Sequence, residues 1–152
     1  MALKEKLQND LTEAMRARDE VRSSTIRMVL TAIKNEEVSG KEARDLSDAE
    51  VITVLSREAK KRREAAEAFE QAGAKDRADN EKAEGVIIAG YLPEPLSEAE
   101  LKEMIASAIK ETGATGPQQM GLVMKSIQPK IAGRADGGTV SSLVKAVLSG
   151  GN

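Results

Sequence analysis

Apolar residues recur at steps of three and four along almost the whole chain, and no segment alternates apolar with polar over a useful length. The first spacing lays one stripe along a helix; the second is what a half-buried strand requires. The chain is therefore expected to be all-α. Leu3, Leu7, Leu11 and Met15 mark a first amphipathic helix. Between Val21 and Val38 the apolar residues Ile26, Met28, Val29, Leu30, Ala32 and Ile33 cover most sides, so the other helices are expected to pack around this second one. After a break at Gly40, Ser47-Asp48-Ala49-Glu50 has the spacing of a capping box. It opens a long helix whose stripe of Val51, Leu55, Ala59, Ala66 and Phe69 is interrupted by Arg62 and stops at Ala72-Gly73. A shorter helix from about Asp76 carries Val86, Ile87, Ile88 and Tyr91.

Leu92-Pro93-Glu94-Pro95 cannot continue a helix, because two prolines in three residues remove amide donors and hold the backbone extended. This places a boundary between a helical N-terminal domain, residues 1–92, and a small three-helix C-terminal domain, residues 93–152. A second capping-box pattern, Ser97-Glu98-Ala99-Glu100, opens a helix with Leu101, Met104, Ile105, Ala108 and Ile109 inside and Thr112-Gly113 at its end. Pro117 starts another, with Met120, Val123, Met124 and Ile127 inward. Beyond Gly133-Arg134-Ala135-Asp136-Gly137-Gly138, the last helix presents Val140, Leu143, Val144, Val147 and Leu148.

The chemistry available to this scaffold is narrow. The 152 residues include no His and no Cys, which removes the commonest general base, the thiolate nucleophile and the usual ligands of zinc, iron-sulfur clusters and haem. No cofactor and no metal are expected, and Ser23, Ser24, Thr25, Ser141 and Ser142 read as caps and surface hydroxyls rather than nucleophiles. Acidic residues fall among basic ones on polar helix faces, the pattern of solvated charge rather than of a catalytic carboxylate pair. The start, Met1 to Lys6, lacks the apolar core of a signal peptide, and no apolar run approaches a membrane span. The expected location is the cytoplasm.

A net charge of -2 excludes a general polycation. Charge is nonetheless uneven: residues 1–92 hold 17 basic and 19 acidic side chains, whereas residues 113–152 hold Lys125, Lys130, Arg134 and Lys145 against Asp136 alone, a net +3. With one Phe, one Tyr and no Trp, platforms for stacking bases are missing, so any nucleic acid would be held by its phosphates and shape. The run Lys60-Lys61-Arg62-Arg63 points around most of a helix with Glu58, Glu64 and Glu67 at pairing distance, which favours a solvated charge ladder over a phosphate grip. For the glycine-rich turn at Gly133–Gly138 two readings stand: an anion-binding concavity at a helix start with Arg134 at its tip, or a structural turn with Asp136 as cap.

Four stretches together resemble the GatB/YqeY family: Thr25 to Val29 running on to Ile33-Lys34-Asn35-Glu36-Glu37; Val54 to Glu58 with Lys60 to Arg63; Tyr91-Leu92-Pro93; and Gly133 to Gly137. The resemblance covers nearly the whole chain, with a departure from the family's charged pattern between Glu84 and Gly90. It implies an all-α protein similar to the C-terminal tail of the B subunit of the glutamine-dependent aspartyl/glutamyl-tRNA amidotransferase. That tail contacts the tRNA body while the chemistry occurs elsewhere. A carbon-nitrogen ligase activity with glutamine as amido donor is thus associated with the family, yet a complete ligase needs an ATP site with magnesium ligands, and no nucleotide-binding motif is visible here. The reading that follows is a non-catalytic module for tRNA or similarly structured RNA, near an amidation or translation complex. Lys125, Lys130, Arg134 and Lys145 would contact phosphate, Gly133 and Gly137 would admit the backbone, and Arg57 and Lys61, one turn apart, would form a secondary patch. The alternatives are a helix-docking protein adaptor and a component with ligase activity of its own.

Overall fold

The apolar stripes become the buried faces of seven α-helices in a computed structural model, which describes residues 2–150. Met1, where the reading of the chain start begins, lies outside the described residues. The chain divides into two compact units, Met1–Leu92 and Pro93–Asn152. The first holds α1 (Leu3–Arg16), α2 (Glu20–Glu37), α3 (Asp48–Gln71) and α4 (Lys75–Ala89). The second holds α5 (Glu98–Thr112), a 3-10 turn at Pro117–Gln119, α6 (Met120–Ile131) and α7 (Gly137–Leu148). The described residues contain no strand, and none of their helices is long and apolar enough to cross a membrane.

In the first unit Leu7 of α1, Ile26, Val29 and Ile33 of α2, Val51, Val54 and Leu55 of α3 and Ile88 of α4 form one buried cluster. Met15 does not complete the stripe of α1. It is 51% exposed, because Ala14 takes the inward position just before the helix ends, and Val86 of α4 is likewise open to solvent at 73%. Lys4 reaches from α1 to the buried Glu37 at the end of α2, with 2.8 Å between Nζ and Oε2, and its ammonium holds the Glu37 carboxyl below the usual range. Tyr91 closes the unit near its boundary. Its hydroxyl donates to Asp10 Oδ2 at 2.6 Å, Arg22 lies 3.7 Å from the same oxygen, and Lys6 sits over the ring.

Burial, and then the hydrogen bond to Asp10, push the Tyr91 phenol up from 10.0 to about 12. The folded state thus favours the neutral phenol. Its contribution to stability is complete below the unfolded value near 10 and is lost as pH rises through about 12. Tyr91 is the only tyrosine and there is no tryptophan, so phenolate absorbance reports this group alone. A spectroscopic titration should give a midpoint near 12 that collapses toward 10 in denaturant; a native midpoint near 10 would show that the Tyr91 hydroxyl is neither buried nor bonded to Asp10.

The capping box at Ser47 forms in full. Ser47 Oγ accepts from the Glu50 amide at 3.3 Å and the Glu50 carboxylate accepts from the Ser47 amide at 2.8 Å. Ser47→Ala should cost about 1 kcal/mol, read as a lower urea midpoint at unchanged slope. The second capping box forms only by half. Ser97 Oγ accepts from the Glu100 amide at 3.1 Å, but the Glu100 carboxylate turns toward the Arg134 guanidinium, 3.9 Å away.

The second unit packs Leu101, Ile105 and Ala108 of α5 against Val123, Ile127 and Ile131 of α6 and Val140, Val144 and Leu148 of α7. Gly113 ends α5 in a left-handed conformation, φ 69°, where a side chain would be strained. Val147 stays more exposed than its spacing suggests, at 37%.

Candidate functional site

The basic residues of the second unit divide by their surroundings. Lys125 on α6 and Lys145 on α7 are exposed and make no ion pair among the described residues. Lys125 lies two residues from the buried Val123 and Ile127, a spacing that turns it away from the core. Lys130 Nζ stands 4.0 Å from a Glu111 carboxylate oxygen, an exposed pair of small energetic weight.

Arg134 is used differently. Its Nε donates to the Glu94 carbonyl at 3.0 Å, and the Leu96 amide donates to the Arg134 carbonyl at 2.9 Å. These two bonds staple the turn after α6 to the segment entering α5, and the contact with Glu100 reinforces the staple. Nothing in the sequence signals this role, because one acceptor is a backbone carbonyl 40 residues away.

Within the turn, Asp136 caps α7: its Oδ2 accepts from the Thr139 amide and hydroxyl, both at 3.2 Å. The structural reading of the turn is thus realised, with a carboxylate at the helix start where an anion would compete with it. Gly133 has a reason of its own, a left-handed backbone at φ 76°. Gly137 has none inside the chain. A methyl group added there would meet nothing within 4 Å, which leaves open room for an external backbone.

Arg57 and Lys61 do lie along one edge of a groove between α2 and α3, but each faces a carboxylate. Arg57 is 3.7 Å from Glu36 and Lys61 is 3.2 Å from Glu58. Both cations are 63% exposed, but Glu36 is 40% exposed and Glu58 only 8%, so the Arg57 pair yields to another anion more readily than the Lys61 pair. Lys61 pairs three residues back along the helix as a charge ladder requires, but its partner Glu58 is buried rather than solvated. Arg62 departs from the ladder: its side chain is only 19% exposed and it lies between Glu58 at 3.9 Å, Glu81 at 3.4 Å and Glu84 at 3.2 Å. Glu81 and Glu84, three apart on α4, share the face turned to α3, which is the one sequence sign of this cluster. Among the described residues no group of three His, Cys, Asp or Glu is arranged to hold a metal ion.

The family model described as Yqey-like protein matches residues 4–148. The chain belongs to that YqeY-like family. It is 31% identical over 150 residues to the altered inheritance of mitochondria protein 41 of Clavispora lusitaniae, covering 97% of this chain and 85% of that protein. The protein of the same name from Lachancea thermotolerans is 31% identical over 145 residues, covering 93% and 76%. That of Pyrenophora tritici-repentis is 29% identical over 147 residues, covering 94% and 79%. Their names place those relatives in mitochondria. A match spanning α1 to α7 of the YqeY-like chain covers both compact units.

Proposed function

We propose that this YqeY-like chain is a non-catalytic module that binds tRNA or a similarly structured RNA, in the cytoplasm and near an amidation or translation complex. The observation that carries the reading is the pair of exposed lysines, Lys125 and Lys145, which face no carboxylate among the described residues, in the stretch of the chain with a net charge of +3. Such cations lower their free energy by replacing the counterions of a phosphate backbone. Lys130 joins them at the small cost of leaving Glu111, and Gly137 leaves space for the backbone to approach. Gly133 and Arg134 shape the turn that presents these groups, while Arg57 and Lys61 supply a weaker, secondary contact.

Filter binding with bulk tRNA tests the reading. A complex should form at micromolar protein in low salt and weaken steeply as salt rises; its absence under those conditions defeats the proposal. The non-catalytic half has its own test. Purified chain incubated with mischarged tRNA, ATP and glutamine should release no amidated product, and any product above background overturns it.

A further inference from the structure

The first unit carries an open groove of about 680 Å³ where the end of α1, the start of α2 and the face of α4 meet. Its walls gather two kinds of side chain that are scarce elsewhere in the unit. Arg16, Arg22, Arg44, Arg57 and Arg62 all face carboxylates and Arg77 lies over the Phe69 ring, which leaves Arg18, Arg27 and Arg63 without such a partner among the described residues. Two of those three, Arg18 and Arg27, line this groove. Beside them stand Met15, 51% exposed, and Val21, 41% exposed, two of the few large apolar side chains left in solvent.

Arg18 also occupies a position that backbone geometry would assign to glycine. The turn after α1 closes with the Arg18 amide on the Met15 carbonyl at 3.2 Å and the Asp19 amide on the Ala14 carbonyl at 2.9 Å. The turn after α3 closes with the same two bonds, from Gly73 to Glu70 and from Ala74 to Phe69. In the second turn the left-handed residue is Gly73, φ 75°; in the first it is Arg18, φ 57°, the only non-glycine residue with positive φ among those described. A side chain held at a strained position beside a second unpaired arginine calls for a use of the guanidinium.

We propose that this groove docks an acidic amphipathic helix of a protein partner, with carboxylates on Arg18 and Arg27 and an apolar stripe on Met15 and Val21. Arginine and methionine are enriched at the cores of protein interfaces, and the guanidinium fork matches a carboxylate in shape. Nucleic acid fits less well, because phosphates offer nothing to Met15 and Val21. Glu84 is already engaged by Arg62 and Asn80, so it does not neutralise the two free arginines.

The test uses the full chain, isotope-labelled for amide NMR, and two helical peptides. One carries leucines at steps of three and four with glutamates beside them; its twin has lysines for the glutamates. The acidic peptide should shift the amide signals of Arg18, Val21, Ser24 and Arg27, its twin should leave them, and Arg27→Glu should abolish the response. Arg18→Gly should raise the thermal midpoint, because glycine relieves the strain, and weaken acidic-peptide binding several-fold. A rise in midpoint with binding unchanged overturns the proposal by making Arg18 merely structural. So does an equal response to both peptides, or none to either. A tRNA that shifts the groove signals and displaces the peptide also overturns it, by making the groove a nucleic-acid surface. The signals of Lys125 and Lys145 report separately on the RNA reading.

Discussion

Replacing Arg62 with alanine should destabilise the first unit by about 3 kcal/mol, whereas the same change at the adjacent Arg63 should stay within roughly 0.5 kcal/mol. The two arginines stand next to each other in one basic run, and only their surroundings differ. Arg63 is exposed, while Arg62 is enclosed by Glu58, Glu81 and Glu84, whose side chains are 8%, 16% and 16% exposed. Removing the guanidinium leaves three carboxylates gathered between α3 and α4 with no central cation. Arg62→Lys should fall between the two, because an ammonium carries the charge but cannot reach three carboxylates from one fork. Arg62 Nε and Glu81 Oε2 lack hydrogen-bond partners, so charge attraction rather than full hydrogen bonding holds the cluster. Urea unfolding of the three variants decides the matter: equal small losses at Arg62 and Arg63 would restore the solvated ladder for the whole run.

The second large effect concerns binding. Reversing both Lys125 and Lys145 to glutamate should lower tRNA affinity by roughly tenfold or more at low salt, and replacing both with alanine should reduce the salt slope by about 2. Both side chains are exposed and make no ion pair among the described residues, so the variants should unfold with the same midpoint as the parent. Arg134 is a poorer choice for this test despite its place at the tip of the turn. Its reversal would also break the side-chain bond to the Glu94 carbonyl and the pairing with Glu100. Undiminished tRNA binding by the double reversal would remove the two lysines from the interface.

Helix positions and ends were legible in the sequence wherever the cause is local. Ser47 with Glu50, Gly113 and Asp136 act through neighbours three to five residues away, and each does so in the structure. What the sequence hides is chosen over long separations. Glu100 lies toward Arg134 rather than on its own helix start, Arg62 reaches α4, and the Arg134 staple depends on a carbonyl 40 residues away. The same limit applies to the candidate site. Its lysines can be named from charge alone, but which cations remain free depends on where Glu36, Glu58 and Glu111 fold back. Arg18 was open to neither kind of reading, since its left-handed backbone follows from a turn that its sequence does not advertise.

The most direct measurement of the RNA-binding claim is ultraviolet crosslinking of the full chain to tRNA, with crosslinked peptides mapped by mass spectrometry. Adducts should concentrate between Met120 and Leu148, on α6, the turn and α7, with a weaker set on α3 around Arg57 and Lys61. Adducts confined to α1, α2 and α4, or none at protein concentrations that saturate filter binding, would contradict that claim.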